Sequence, residues 1–208
     1  MTSNIKNNKA GRPKGSNKEA TLAKILPASR RLFAEKGFAQ TTFKLVGQSV
    51  GMSHAALYSY FDSKLDLYLA TLAHTQEYLL PHYVTGFEQG GNLRERLTFI
   101  LNAMAAEHDK DATITGFLAA VPIEMRRHSE LDAVLNGADN PIFNVLEQLF
   151  QSSIDSGEIK VGVTAANLVT ALLGGGVGVA LFSYGFASDN LTEPMSVFID
   201  LIEGQLFT

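Results

Sequence analysis

The sequence predicts an all-α protein: an N-terminal three-helix domain followed by a larger helical domain. Three observations predict it. Apolar residues recur at helical spacing through most of the 208 residues, no stretch shows strand alternation or a hairpin dipeptide, and recognisable start and stop residues bound the periodic segments. Residues 1–18, with KNNKAGRPKGSNK, hold almost nothing to bury and are expected to be a disordered basic tail. From 22 to 38, Leu22, Ile25, Leu26, Leu32 and Phe33 form an apolar face that stops at Gly37, a C′ residue, and Pro27 is expected to kink or end this helix. Two short helices follow to about residue 61. A longer one runs over 64–80, opened by Ser63 and Asp66 in a capping pattern and ended or kinked by Pro81. Further helices are expected at 93–108, 112–127, 140–156, 164–183 and 194–206. Asn140-Pro141 reads as an N-cap with proline at N1, and Ile142, Val145, Leu146, Leu149 and Phe150 then line one face until Gly157. Val161 and Val163 form at most a short extended link. The expected units are therefore the tail (1–18), a three-helix domain (19–64) and a helical domain (65–208).

Composition narrows the chemistry. With 46% apolar residues the chain can bury a real core, and with no cysteine it has neither disulfides nor thiolate chemistry. The polar, basic first residues lack the apolar run of a secretory signal, so a cytoplasmic location is expected. The net charge of −4 hides a split: residues 1–64 carry eleven Lys/Arg against Glu19, Glu35 and Asp62, a balance of +8, whereas residues 65–208 carry six against eighteen acids, a balance of −12. Such asymmetry suggests that the basic end meets a polyanion. The uncharged stretch 161–188 has the length of a membrane span. It is interrupted by Asn167, Thr170, Ser183 and Tyr184 and centred on Gly174, Gly175, Gly176 and Gly178, which favours a buried helix and no membrane partner. No cofactor or metal is expected, because His74, His82, His108 and His128 do not fall at ligand spacing and no nucleophile–base pair marks an enzyme.

Residues 42–64, TFKLVGQSVGMSHAALYSYFDSK, carry the functional signal. Thr42 can cap a helix with Phe43, Val46 and Val50 on one face, Gly51 supplies a tight turn, and Ser53 can cap a second helix with Met52, Leu57 and Phe61 inward. Two short helices joined by a glycine turn make a helix-turn-helix, whose second helix enters the DNA major groove. His54, Ala55, Ala56 and Tyr58 lie outward; small alanines permit close approach to base edges, and their methyls can meet thymine. Thr42, Lys44, Ser53, Tyr60 and Lys64 can reach phosphates, which fix position without reading sequence. Spacing alone leaves a plain helical hairpin open.

Residues 20–75 resemble the DNA-binding domain of the tetracycline-repressor (TetR) family of bacterial transcription regulators. Leu32-Phe33, Gly37-Phe38, Thr41-Thr42, Gly51, Ser53, Leu57-Tyr58, Tyr60-Phe61 and Ser63-Lys64 followed by Leu67 carry the likeness. The resemblance implies that Thr42 and Lys44 meet the backbone or groove rim, that Ser53, His54, Ala55 and Ala56 approach bases, that Tyr58 reads base or phosphate, and that Tyr60 and Lys64 clamp phosphates. Pro27 departs from the family's uninterrupted first helix. Gly11-Arg12-Pro13-Lys14-Gly15 is similar to the core of an AT-hook, with Ala10 in place of the usual Arg, so Arg12 and Lys14 become candidates for minor-groove contact.

The resemblance further implies a ligand pocket in the C-terminal helices and a two-fold homodimer formed by the last two, reading a pseudo-palindromic operator in double-stranded DNA. Leu168, Leu172, Val179 and Phe182 are the candidate seam residues, and the glycines either allow close helix approach or break the helix. Tyr78, Phe99, Met104, Phe117, Met125, Phe143 and Phe150 are core residues or the lining of a pocket for a small apolar or aromatic effector. The expected function is a dimeric repressor released by that effector; an architectural DNA-binding protein with a non-sensing dimerisation block is the alternative. Deleting residues 1–18 should weaken DNA binding and flatten its salt dependence, measured as the slope of log affinity against log salt; an unchanged slope removes the tail from DNA binding.

Overall fold

The computed structural model describes residues 14–160, 162–186 and 190–206. Its helices are α1 (Lys14–Gln40), α2 (Phe43–Val50), α3 (His54–Leu57), α4 (Lys64–Glu88), α5 (Leu93–Lys110), α6 (Thr113–Arg127), α7 (Ser129–Leu135), α8 (Pro141–Asp155), α9 (Ala165–Gly185) and α10 (Thr192–Glu203). No strand occurs among the described residues, and the chain is all-α. Helix α1 begins inside the span expected to be an unstructured tail, and α7 was not anticipated.

Local chemistry accounts for most boundaries. Thr42, Ser53, Ser63 and Thr164 each accept a hydrogen bond from the backbone N–H three residues on, and Asn140 accepts from Ile142 and Phe143 ahead of Pro141. Gly37, at φ 74°, breaks the register of α1 where the sequence placed its stop, and Thr41 secures the break by donating its hydroxyl to the carbonyls of Leu32 and Gly37. Neither proline ends its helix, one of the two outcomes expected of each: Pro27 and Pro81 sit inside α1 and α4. Each deprives one carbonyl of its helical partner, that of Ala23 or Glu77, and both those residues are exposed, so water can take the place of the missing N–H.

Two apolar cores organise these helices. In the first, Ile25, Phe33 and Phe38 of α1 meet Val46 of α2, Leu57 of α3 and Leu67, Tyr68 and Leu72 of α4, with Phe117 of α6 and Leu131 of α7 completing it. The second joins the latter half of α4 to α5, α8, α9 and α10 around Ile100, Leu101, Leu146, Leu149 and Met195. Helices α4 and α6 therefore belong to both, and the first core reaches well past residue 64. Phe33, Tyr68 and Phe117 form a ring cluster across the junction, with centroids 4.9 Å, 5.1 Å and 6.0 Å apart.

The glycine run leaves α9 unbroken. A Cβ on Gly175 would stand 2.5 Å from the Phe198 ring and one on Gly176 3.3 Å from Leu101, whereas Gly174 and Gly178 face open space. Gly116 of α6 is equally constrained, since a Cβ there would lie 2.6 Å from the Tyr184 ring. Gly116→Ala should lower unfolding stability by about 1–3 kcal/mol in urea titrations despite alanine's better helix propensity, because two packed helices must separate.

Candidate nucleic-acid interface and cavities

The outward surface of the N-terminal domain is built on the α2–α3 turn. Gly51 adopts φ 71° and caps α2. Gly47 is buried, and a Cβ there would come within 2.7 Å of the Met52 carbonyl, so the two helices cross at a distance only glycine allows. Sequence reading missed Gly47, because its requirement comes from the next turn of chain and not from its own helix. Beneath α3, Leu57 is fully buried, and it fixes which residues point outward.

Those residues are Ser53, His54, Ala55 and Tyr58, all exposed, with Ala56 half-buried. Tyr58, 55% exposed, lies with its ring 4.7 Å from that of Phe43 and 5.9 Å from His54, which holds both polar rings on the open side of α3. Thr42 and Lys44 are exposed at the start of α2, while Tyr60 is half-buried beside Phe61. Ser53 and Thr42 each spend their side-chain oxygen on a helix N-terminus, at 3.2 Å and 3.3 Å. Lys64 is engaged: its Nζ donates to the carbonyls of Phe38 at 2.8 Å and Ala39 at 3.1 Å and lies 4.3 Å from the Phe38 ring centroid. It thus closes the C-terminal end of α1, where a positive charge meets unpaired carbonyls. Arg12 lies outside the described residues, and Lys14 is the first residue of α1.

Polar side chains near both ends of α6 face α1. Arg30 of α1, itself buried, donates to Asp111 at 2.7 Å, and Asp111 also receives the backbone N–H of Thr113. Burial raises the Asp111 carboxyl's pKa, but the bonds from Thr113 and Arg30 outweigh it and hold the group below its usual range. Near the other end of α6, Glu124 lies 3.1 Å from the His128 ring nitrogen and so close to Gly37 that a Cβ there would meet it at 2.9 Å; the His128 ring is 5.0 Å from that of Phe38.

The second domain contains an apolar cavity of about 60 Å³ between α4, α5, α6, α9 and α10, lined among others by Tyr83, Met104, Thr115, Leu172 and Met195. A polar cleft of about 210 Å³ lies nearer α1, where Arg30 and Lys110 face Asp111 and Glu107. Its charges are already matched: Glu107 accepts from Tyr78 and from Lys110.

The seven pocket candidates disperse. Met104 lines the apolar cavity and Tyr78 the polar cleft. Phe117 and Met125 belong to the first core, Phe150 is buried in the second, Phe99 packs over Gly86, and Phe143 is 50% exposed. Aromatic residues at helical spacing are core by default, and only tertiary packing decides which of them face a void. The seam candidates disperse in the same way. Leu172 points into the core and lines the cavity, Leu168 and Val179 are half-buried against the same core, and Phe182 alone is strongly exposed, at 69%. An all-round apolar helix gives no phase from which to read its faces. The open face runs through Gly174, Gly178, Leu181 and Phe182 and continues on α10 at Val197 and Leu201. By length and a mean hydropathy of 1.8, α9 could also cross a membrane.

Known proteins resemble the chain at two levels. Residues 25–71 match the family described as bacterial regulatory proteins, tetR family. The chain is 25% identical over 178 residues to the HTH-type transcriptional regulator UidR of Escherichia coli (strain K12), covering 86% of this chain and 85% of that protein. It is 21% identical over 150 residues to the fatty acid metabolism regulator protein of Bacillus subtilis (strain 168), covering 70% and 74%. The crystal structure of the transcriptional regulator FadR from Bacillus subtilis, in complex with stearoyl-CoA, shares the fold with a TM-score of 0.73 at 18% identity, over 86% of this chain and 96% of that one.

Asp111→Asn should destabilise the protein by about 1–3 kcal/mol at neutral pH, because the buried Arg30 loses its charged acceptor. The folded-state pKa of Asp111 lies below its unfolded value, so its contribution is complete above that value and disappears as pH falls through the folded pKa. Unfolding curves of the two proteins should accordingly converge between about pH 5 and pH 2.

Proposed function

With the chain belonging to the tetR family of bacterial regulatory proteins, and hence a transcriptional regulator, we propose that it is a dimeric repressor released from a pseudo-palindromic operator by a small apolar effector. The observation that carries this reading is the placement of His54, Ala55 and Tyr58 on the open side of a short helix whose N-terminus is capped by Ser53 and whose underside is locked by Leu57. A flush, alanine-bearing helix presents base-reading groups without bulk that would hold it out of the groove. Ser53, His54, Ala55, Ala56 and Tyr58 read bases; Thr42, Lys44 and Tyr60 position the domain on phosphates. Lys64 supports them from behind by holding the end of α1. Residues 1–18, with Arg12 and Lys14, add basic charge beside the motif.

A second copy covers the face formed by Gly174, Gly178, Leu181 and Phe182 of α9 with Val197 and Leu201 of α10. The two glycines let the partner helix approach closely, and the exposed apolar side chains beside them supply area to bury. The dimer sets the two α3 helices about one turn of DNA apart, roughly 34–36 Å. The apolar cavity in the second domain is the effector site. At about 60 Å³ it is far below the roughly 300–1,000 Å³ of ligand sites, so an effector must part α9 and α10 from α5 to enter. Met104 and Met195, with soft unbranched side chains, are suited to that adjustment. Through α4 and α6, which both domains share, the wider form is transmitted to the DNA-binding helices. An effector acts because it prefers that form. The stearoyl-CoA bound by the Bacillus subtilis relative, with its long apolar chain, supports an apolar effector here.

Genomic fragments selected by the protein should contain one short palindrome bound at least about 10³-fold more tightly than random duplex. Equal affinity for all duplexes would instead mark an architectural protein. In the same assay His54→Ala should change the preference among operator variants by about 1–3 kcal/mol, whereas Lys44→Ala should weaken every sequence alike and reduce the salt slope by about one. Lys64→Ala should likewise weaken all sequences, with a loss of thermal stability that Lys44→Ala does not share.

A further inference from the structure

Two polar side chains interrupt the otherwise apolar lining of the effector cavity, Tyr83 of α4 and Thr115 of α6. Tyr83 is 6% exposed and lines the cavity. Burial raises its pKa, so it remains a neutral O–H donor. Leu, Ile and Met side chains in the lining offer an O–H no acceptor, so an incoming acceptor would gain a hydrogen bond there. Thr115 has one partner, the Nδ1 of His108, at 2.9 Å.

His108 decides which way that bond runs. It lies one turn beyond Met104 on α5 and is 2% exposed; burial lowers its pKa and keeps the ring neutral, and its Nε2 is buried without a partner. A neutral ring carries one proton. With the proton on Nδ1, it is donated to Thr115 Oγ1, and the Thr115 O–H is left free. Two hydroxyl donors then border one apolar space, and no charged side chain lines it.

Building on the effector reading above, we infer that the cavity selects an uncharged, largely apolar molecule carrying one carbonyl-type acceptor, whose two lone pairs receive the hydroxyls of Tyr83 and Thr115. His108 is a positioning residue, orienting Thr115 and touching no ligand atom. A carboxylate or an ammonium is refused, since nothing in the lining balances its charge. The acceptor end also lies next to the α5–α6 turn, which carries Asp111 and through it Arg30 of the DNA-binding domain.

The test uses the full chain with 2-octanone, its isostere 2-methyl-1-octene, in which a methylene replaces the carbonyl oxygen, and octanoate. Affinities are measured by calorimetric titration on the wild type, Tyr83→Phe, Thr115→Val and the double variant; both substitutions keep shape and remove a donor. Two neutral hydrogen bonds correspond to a factor of roughly 5–150. The ketone should therefore lose at least about tenfold in affinity in the double variant while the alkene stays within about twofold, and octanoate should bind at least about tenfold more weakly than the ketone to the wild type. The infrared carbonyl stretch of bound ketone should lie lower in the wild type than in Tyr83→Phe, a readout that also serves if Thr115→Val fails to fold. Equal loss for ketone and alkene, an unshifted carbonyl stretch, or octanoate as the tightest ligand would overturn the inference. If alkene and ketone bind alike and both release operator, the effector reading stands and the polar selection falls; if none of the three binds, the selection falls and operator release remains to be tested on larger apolar effectors.

Discussion

Three aromatic rings, Phe33 of α1, Tyr68 of α4 and Phe117 of α6, meet where the two domains join, and the rest of the molecule is arranged around that contact. They are almost wholly buried, so the helix that precedes the helix-turn-helix, the helix that leaves it and a helix of the second domain share one packed centre. Interiors this dense transmit displacement instead of absorbing it. A change in the angle of α6 must be answered by α1 and α4. The ion pair of Arg30 with Asp111 and the close approach of Glu124 to Gly37 flank the rings and prevent α1 from sliding along α6.

The same centre explains where sequence reading succeeded and where it did not. The helix-turn-helix was legible because its determinants are local: Thr42 and Ser53 cap within three residues, Gly51 turns the chain at its own φ, and Leu57 fixes one face of a helix only four residues long. Phe117 was indistinguishable in sequence from a pocket residue, since the partners that make it core come from α1 and α4, over forty positions away. Helix ends set by capping were placed within a few residues, as at Ser63 and Asn140. Whether a proline ends its helix was not legible, because a missing N–H matters most when its carbonyl is also cut off from water, and exposure is a property of the fold.

Lys64 illustrates a similar limit. Position in the motif marks it for the DNA backbone, and the fold adds a contact the sequence does not show: its ammonium reaches back to the end of α1 and braces the scaffold that holds α3. His108, which the sequence assigned no task, became informative only when its buried nitrogen was seen without a partner beside a cavity wall. In both cases an unmet or redirected hydrogen bond, invisible in the sequence, carries the meaning.

Helix α9 bears the cavity on one side, through Leu172, Gly176 and Ala180, and on its opposite side the bare strip of Gly174, Gly178 and Phe182. It is one continuous rod without a hinge between the two. Where two such rods lie back to back, neither can give way for a guest molecule without pressing on its twin. In the dimer proposed above, the pair would take up its effector as a unit, and occupancy would depart from the simple saturation curve that independent subunits would trace.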